Sequence, residues 1–286
     1  MLLTTVLVLI TIPFWGITFQ LPKNALAKDD AVSLLSFNTK LFREKSVYDQ
    51  FSLDMIKWVV EDTSSIKCIQ EFSTNARWPA LDIKGQIESS GYHSFDYKAS
   101  EGNFGDHNPG MAIFSKYPIV DQGVLPLANN GINAIIYADI LVGRDTLRVY
   151  NIHLTSYHFE LPEQSSNFLR ALEVVITEAK QVVISHTNEV QTLLEHADEC
   201  PYPYLIAGDL NESPYSYTYR KLSSMSNAFE STGYGFGFTM IKPPLFLRID
   251  NIFFNQQISM HSFEVDYSMN ISDHYPIRAS FDIELN

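Results

Sequence analysis

The chain has 286 residues, 45% of them hydrophobic, which is enough for one large α/β domain or two small ones with a sizeable core. It carries 20 Lys and Arg against 33 Asp and Glu, a formal net charge of -13. This charge argues against broad binding to a nucleic acid backbone, whereas excess carboxylate suits divalent cations. The two cysteines, Cys68 and Cys200, match neither a disulfide framework nor a zinc site, and free thiols are favoured over a bridge between them.

The first 22 residues contain no charged side chain and are dominated by Leu, Val, Ile, Phe and Trp. This is about the ~20 residues that a helix needs to cross a bilayer. A cleaved signal would normally have a basic start, which is missing, although Ala25 to Ala27 has the small-x-small pattern of a cleavage site. We therefore expect a membrane anchor or uncleaved signal over residues 1–22, a polar linker over residues 23–30, and a domain over residues 31–286 that is membrane-anchored or exported. A buried core helix is the alternative, and Pro13 counts against it.

The first elements of the domain are predicted to form a strand, a helix and a second strand. Val32 to Phe37 is an apolar run, Tyr48 to Asp62 has apolar residues near helical spacing, and Ile66 to Gln70 is a short strand. Strands connected in this way run parallel, so their carboxyl ends lie at the same edge of the sheet. The pattern therefore brings Asn38 and Glu71, which follow the two strands, to one edge.

The middle of the chain is predicted to alternate between strands, loops and one long helix. A hairpin with a four-residue turn over residues 142–145 leads to His153, which alone is more often a structural hydrogen bonder than a catalyst. The other predicted elements are a helical start at Trp78 that ends at Gly91, an edge strand over Tyr92 to Tyr97, a long loop over Glu101 to Gly110, a strand over Met111 to Phe114, and a scaffold helix over Phe168 to Ala197.

The stretch from Leu205 to Pro214 combines a buried strand with polar residues at its end. Gly208 allows the backbone to turn there, and Asp209 and Asn211 point to the same side because side chains alternate along an extended segment. A carboxylate and an amide so placed can orient a water and a phosphate oxygen. A lone pattern of this kind is more often an Asx turn, so the assignment depends on partners elsewhere.

The C-terminal part supplies further polar residues next to apolar runs. Asp250 precedes a strand over Asn251 to Phe254, and Asp273 and His274 precede a last strand over Arg278 to Ile283. A short helix is predicted over Tyr215 to Leu222, and the glycine and aromatic residues of Ser231 to Phe238 indicate a loop at the rim of a site.

Seven motifs in the same order resemble the endonuclease/exonuclease/phosphatase superfamily, over about residues 31–284. They are SFN (Ser36 to Asn38), IQE (Ile69 to Glu71), MAIFSKYPI (Met111 to Ile119), NIHL (Asn151 to Leu154), GDLN (Gly208 to Asn211), RIDNIFF (Arg248 to Phe254) and SDHYPI (Ser272 to Ile277). The resemblance implies an α/β fold, a four-layered sandwich of two mixed β-sheets packed face to face with outer helices, and a site in a cleft at one edge. The interleaved strands and helices agree, since the hairpins exclude a purely parallel sheet.

The resemblance also implies roles for eight residues. Glu71 matches the carboxylate that holds Mg²⁺ or Mn²⁺. Asn38 matches the amide beside this carboxylate and is assigned to the metal site with it. Asp273 matches a second acidic position near the metal. Asp209 matches the residue that orients or deprotonates the attacking water, and Asn211 the amide that contacts the phosphate. His274 matches the histidine on the scissile phosphate, Asp250 its carboxylate partner, and His153 a second histidine able to act as general acid.

The function expected from this resemblance is divalent-metal-dependent hydrolysis of phosphate esters by in-line attack of an activated water. A phosphodiesterase, nuclease-like or acting on phospholipid head groups, is the leading prediction. A phosphoinositide-type phosphomonoesterase and a catalytically inactive, membrane-tethered binding module are the alternatives. The acidic charge and His153, where abasic-site enzymes carry tyrosine, argue against stable binding of duplex DNA.

Overall fold

The computed structural model of the chain is built on two six-stranded β-sheets. It describes residues 11–12, 14–23, 30–44, 47–99, 109–127, 131–157, 168–242 and 245–284. The strands are β1 (Val32–Asn38), β2 (Arg43–Glu44), β3 (Val47–Phe51), β4 (Ile66–Phe72), β5 (His93–Lys98), β6 (Gly110–Ser115), β7 (Ile119–Val124), β8 (Ala134–Val142), β9 (Asp145–His153), β10 (Tyr204–Asp209), β11 (Ser226–Asn227), β12 (Met240–Lys242), β13 (Leu245–Leu247), β14 (Asp250–Phe254), β15 (Ile258–Val265) and β16 (Ile277–Ile283). The helices are α1 (residues 14–18), α2 (Leu53–Glu61), α3 (Ile83–Ser89), α4 (Phe168–Asp198), α5 (Tyr217–Lys221) and α6 (Ala228–Thr232).

Both sheets mix parallel and antiparallel pairs. The first has the order β15-β16-β1-β4-β6-β5 and the second β11-β14-β10-β9-β8-β7. At the centre of each, two parallel strands lie side by side, β1 with β4 and β10 with β9. Each pair is flanked by antiparallel neighbours. The expectation of two mixed sheets is therefore confirmed.

Alternation along the strands explains the four layers. In β1, Leu34 faces the apolar core between the two sheets, while Leu35 and Phe37 face a second core under α2 and α3. Both faces of β1 are covered, which is why its sequence is a continuous apolar run rather than an alternating one. On the far side of the second sheet, a third core joins Leu193 of α4 to Tyr219 of α5. The predicted four-layered sandwich is confirmed.

A polar cross-link joins the two sheets inside this apolar core. The Asn151 side chain on β9 donates from Nδ2 to the carbonyl oxygens of Ile69 (3.1 Å) and Ala112 (2.9 Å) on the opposite sheet. Its Oδ1 accepts from Nε2 of Gln70 at 2.6 Å. Gln70 also donates to Ser36 Oγ on the neighbouring strand. Since a buried amide is costly unless it is hydrogen-bonded, these bonds fix one spacing and one register between the sheets.

Several predicted boundaries differ from the structure. The helix predicted over Tyr48 to Asp62 begins at Leu53, because Ser52 accepts the Met55 N–H as its N-cap and Val47–Phe51 pairs with Arg43–Glu44 as a strand. The hairpin turn has two residues instead of four, with Gly143 at a φ of 66°. The strands β7 and β15 were missed, and most of the predicted loop over residues 101–110 lies outside the described residues. Cys68 and Cys200 are both free thiols, as expected.

The described part of the N-terminal segment packs against the domain. Gln20 and Gly235 form an antiparallel bridge, and Arg248 donates to the carbonyl oxygen of Ile17 at 2.5 Å. Lys23 Nζ donates to the carbonyl oxygens of Glu230 and Ser231. Among the helices in the described ranges, none combines the length and the apolar character needed to span a bilayer.

The cross-link makes a stability prediction. Asn151→Leu should lower the free energy of unfolding by about 2 to 4 kcal/mol, because it leaves the Gln70 amide and two carbonyl oxygens buried without this partner. Urea denaturation of the wild-type and variant chains measures the change. Gln191→Leu, on the exposed side of α4, is the control and should change stability by less than about 0.5 kcal/mol. A similar small change in Asn151→Leu would contradict a structural role for the cross-link.

Candidate functional site

The predicted functional residues meet at the carboxyl ends of the parallel strands. In the first sheet, Asn38 of β1 lies opposite Gln70 of β4, so Glu71 is the next residue along this edge. In the second sheet, Asp209 of β10 lies opposite both His153 of β9 and Asp250 of β14. The close approach of β10 to β9 requires Gly208, where a Cβ would lie 2.0 Å from the Ile152 carbonyl oxygen.

Asp209 is the centre of the cluster. Its Oδ2 accepts from Asn38 Nδ2 at 3.1 Å and lies 3.7 Å from Nε2 of both His153 and His274. Its Oδ1 accepts the Asn211 backbone N–H at 2.8 Å. Burial raises the pKa of Asp209, and the charges of the two histidines oppose that effect. A buried carboxylate with a raised pKa is suited to accept a proton near neutral pH.

His274 is held by a second carboxylate. Its Nδ1 lies 2.9 Å from Asp250 Oδ2, with both side chains buried. Burial would lower the pKa of His274, but the charges of Asp250 and Asp209 outweigh it and raise the pKa to about 10. His274 is therefore an imidazolium that points its Nε2 side towards Asp209, and it can donate to an anionic oxygen.

The carboxylates offer a place for a hard cation. Asp209, Asp250 and His274 bring ligand atoms within 4.8 Å of one another. Within this trio, His274 Nδ1 and Asp250 Oδ2 are already hydrogen-bonded to each other at 2.9 Å. Glu71 fits better: its side chain is 25% exposed, and its Oε1 lies 3.1 Å from the same Asn38 amide nitrogen that holds Asp209. Asn38 turns its oxygen away to accept the Lys40 N–H, so its role as a metal ligand remains a prediction.

His153 is buried next to Asp209 and Glu71 without a hydrogen bond to either. Both of its ring nitrogens are buried and have no hydrogen-bond partner among the described residues. Nε2 lies 3.8 Å from Glu71 Oε1, beyond hydrogen-bond distance. Buried polar atoms are nearly always paired in native proteins, so this imidazole has hydrogen-bonding capacity that the described residues do not use.

A family model identifies the family of this chain. The model described as "Endonuclease/Exonuclease/phosphatase family" matches residues 50–274, which is more than half of the chain. The chain belongs to the endonuclease/exonuclease/phosphatase family. The resemblance drawn from the seven motifs is thereby confirmed, and so is the activity class of phosphoester hydrolase at the level of the family.

Several solved structures share the fold of this chain at low sequence identity. A family protein from Leptotrichia buccalis is 16% identical with a TM-score of 0.63, the match covering 89% of this chain and 100% of that one. The Neisseria 3' phosphatase NExo, solved with a product DNA hairpin, is 15% identical with a TM-score of 0.61 over 88% and 100% of the two chains. Sphingomyelinase C from Streptomyces griseocarneus is 13% identical with a TM-score of 0.60 over 87% and 99%. No curated protein matches the sequence.

Backbone strain in this family member is concentrated at the site. Among the described residues, those other than glycine with positive φ are Lys40, Leu41, Phe42, Glu71 and Asn211. Each costs free energy in this conformation and persists only where surrounding bonds enforce it. Glu71 sits in a bulge between Gln70 and Phe72, which turns its side chain from the pleat towards the cleft.

Asn211 and Asp273 are less central than the other predicted residues. Asn211 donates from Nδ2 to the Leu154 carbonyl oxygen at 2.9 Å, so it ties the loop after β10 to the loop after β9. Asp273 pairs with Lys40 Nζ at 3.0 Å. Burial would raise the pKa of Asp273, but the charges of His274 and Lys40 lower it overall. Lys40 was not among the predicted residues. Its position two residues after Asn38, which ends β1, could have indicated that it lies near the site.

The sequence analysis also missed a clamp under the site. His186 on α4 is fully buried between Glu212 (Nδ1 to Oε1, 2.7 Å) and the Thr155 carbonyl oxygen (Nε2, 2.5 Å). Glu189, one helical turn later, accepts the Thr155 backbone N–H at 3.1 Å. Because Thr155 follows His153 by two residues and Glu212 follows Asn211, the clamp holds both catalytic-edge loops. Burial would lower the pKa of His186 and raise that of Glu212. Their mutual hydrogen bond and opposite charges, together with further hydrogen bonds such as that from His186 to the Thr155 carbonyl oxygen, outweigh burial, so the pKa of His186 is raised and that of Glu212 is lowered.

The clamp predicts a pH-dependent stability. The folded-state pKa of His186 is raised, so its contribution is complete below the unfolded value of about 6.5 and is lost as the pH rises through the folded pKa. The pKa of Glu212 is lowered, so its contribution is complete above about 4.3 and is lost as the pH falls through the folded pKa. His186→Gln should therefore cost the most at about pH 5.5, roughly 1.5 to 3 kcal/mol, and less at about pH 9.

Urea denaturation at the two pH values measures this difference. His93→Gln, at an exposed position of β5, is the matched control and should show little cost at either pH. A cost for His186→Gln that is equal at both pH values would show that His186 acts through packing and not through its charge.

Proposed function

We propose that this protein is a divalent-cation-dependent phosphodiesterase that hydrolyses its substrate by in-line attack of a water molecule. The observation that carries the proposal is the arrangement around Asp209. One buried carboxylate oxygen faces an amide N–H and two imidazoles, one charged and one unpartnered. This set can accept a proton, bind an anionic oxygen and donate a proton, which are the three tasks of phosphoester hydrolysis.

Glu71 is the carboxylate that would hold Mg²⁺ or Mn²⁺ beside Asp209, with Asp273 as the predicted second acidic position. One or two carboxylates suffice because such ions keep several of their waters. When bound, the cation would supply positive charge to the non-bridging phosphate oxygens. Asn38 bonds to both carboxylates through one amide nitrogen and would keep their oxygens converged.

The protein side chains divide the remaining work. Asp209 would take the proton from the attacking water, since burial raises its pKa. His274, oriented by Asp250, would bind a phosphate oxygen with its charged ring. Asn211 would contact the phosphate from the loop that it ties to Leu154. His153 would protonate the leaving oxygen, which would otherwise depart as an alkoxide.

The class of diester follows from charge and from the N-terminal segment. A formal charge of -13 disfavours long nucleic acid duplexes, so short nucleic acid fragments or phospholipid head groups are the proposed substrates. A membrane-anchored or exported location agrees with the uncharged residues 1–22. Relatives of this fold are named as a 3' phosphatase and a sphingomyelinase, so both substrate classes occur on this scaffold.

A substrate panel tests the proposal. The purified full chain should hydrolyse bis-p-nitrophenyl phosphate faster than p-nitrophenyl phosphate with Mg²⁺ or Mn²⁺, and EDTA should abolish the activity. Plasmid DNA and sphingomyelin, assayed in parallel, separate the two classes of diester. Preference for the monoester would replace the proposal by a phosphomonoesterase. Absence of turnover with every metal and substrate would favour the non-catalytic binding module.

Glu71→Gln locates the cation. The Mg²⁺ concentration for half-maximal hydrolysis of bis-p-nitrophenyl phosphate should rise by about tenfold or more, the range in which changes around metal sites weaken binding. Glu61→Gln is the control because its carboxylate, with 65% of the side chain exposed, lies at the end of α2. If Glu71→Gln has the same Mg²⁺ requirement as the control, Glu71 is not a ligand.

A further inference from the structure

An exposed apolar surface lies beside the catalytic edge. We define this aromatic rim by Phe19, Leu21, Tyr234, Phe236 and Phe246, whose exposed fractions run from 41% to 70%. Its rings are continuous: Phe19 and Phe236 have centroids 5.1 Å apart, and Phe238 bridges Phe236 (5.3 Å) to Phe246 (5.9 Å). Single exposed apolar residues are common, but a contiguous group of this kind marks a surface that contacts another phase or molecule.

The rim is attached directly to the catalytic histidine. The Tyr275 N–H donates to the Thr239 carbonyl oxygen at 2.7 Å. The backbones of Met240 and His274 form an antiparallel β-bridge. The Thr239 hydroxyl accepts the backbone N–H of Asp250 at 3.1 Å. The backbone segment that carries the rim therefore also holds the His274 and Asp250 pair.

The N-terminal segment contributes to the rim in a fixed orientation. The backbone of Gln20 exchanges two hydrogen bonds of 2.9 Å with Gly235, and Arg248, two residues before Asp250, donates to the Ile17 carbonyl oxygen. Phe19 and Leu21 flank Gln20 and are 41% and 70% exposed, whereas Gln20 itself is buried. The polar bonds of this segment thus face the domain while its apolar side chains face outwards.

We propose that the aromatic rim lies against the surface of a lipid bilayer and holds the catalytic edge at the head-group level. Residues 1–22 carry no charge, and the described end of this stretch contributes Phe19 and Leu21 to the rim. Phe and Tyr side chains favour the membrane interface, and buried apolar area drives such binding. The net charge of -13 gives no attraction to anionic lipid, so the expected surface is zwitterionic.

This proposal rests on the proposed function and adds that the cleft binds its substrate at the membrane surface. The bonds to Gly235, Arg248 and Glu230 fix residues 17–23 to the domain, so Phe19 and Leu21 keep one orientation relative to the cleft. A phosphodiester in the head-group layer would then face His274 without leaving the membrane.

Fluorescence quenching in vesicles tests the proposal. The full chain carrying Cys200→Ser and Tyr234→Cys is labelled at the new thiol, since Cys68 is fully buried, and is reconstituted into phosphatidylcholine vesicles. Val120→Cys, 57% exposed on β7 at the opposite edge of the second sheet, is the matched control. Brominated phosphatidylcholine should quench the label at 234 about twofold or more and leave the label at 120 unchanged. Phe236→Ser with Phe246→Ser should remove most of that difference.

The outcomes separate the rim from the chemistry. Equal quenching at positions 234 and 120 would overturn the lipid contact. A spectral change at 234 that grows with protein concentration in the absence of vesicles would overturn it in favour of contact between two copies. Hydrolysis of bis-p-nitrophenyl phosphate by the same samples reports the proposed function separately, so failure of the rim and failure of the active site give different results.

Discussion

The hydrogen-bonded amides of Asn151 and Gln70 are the interaction on which the arrangement of the two sheets depends. Apolar packing alone would hold the sheets together, but hydrophobic contact is not directional and does not select one register. The Asn151 amide must reach two specific carbonyl oxygens on the facing sheet while its oxygen accepts from Gln70. A slide of one sheet over the other would leave these groups unpaired in the core, at a cost that only the observed register avoids.

This register matters because the cross-link lies directly beneath the candidate site. Gln70 precedes Glu71, and Asn151 precedes His153 by two residues on β9. The two sheets therefore contribute their functional groups at a separation set by the amides below. Asn38 and Glu71 come from one sheet, and His153, Asp209 and Asp250 from the other.

Charge and strain at the site are maintained by the bonds around it. His274 stays charged although it is buried because Asp250 and Asp209 face it. The burial of Asp209 is offset in part by two donors, Asn38 Nδ2 and the Asn211 N–H, and by the charge of His274. The positive φ of Glu71, in the bulge of β4, turns its side chain towards the cleft, whereas Phe42, which also has a positive φ, packs in the core under α2 and α3. The His186 and Glu212 pair holds the outer loops from below. The free energy that favours one fixed geometry thus comes from the layer beneath the reacting groups.

The sequence by itself determined the family through its ordered motifs, and the sandwich architecture through the family. It also indicated the residues near the cleft, because each of these residues lies next to an apolar run and such runs mark where strands end. The sequence misplaced helix and strand boundaries where a cap or an edge-strand pairing sets the boundary, as the Ser52 N-cap does for the start of α2. Three features were decided only by the tertiary structure: the partner of Asp273, the clamp from His186 on a distant helix, and the docking of Gln20 onto Gly235. Each joins residues far apart in the chain, and no local pattern of charge or hydrophobicity records which distant group a side chain will meet once the layers have packed.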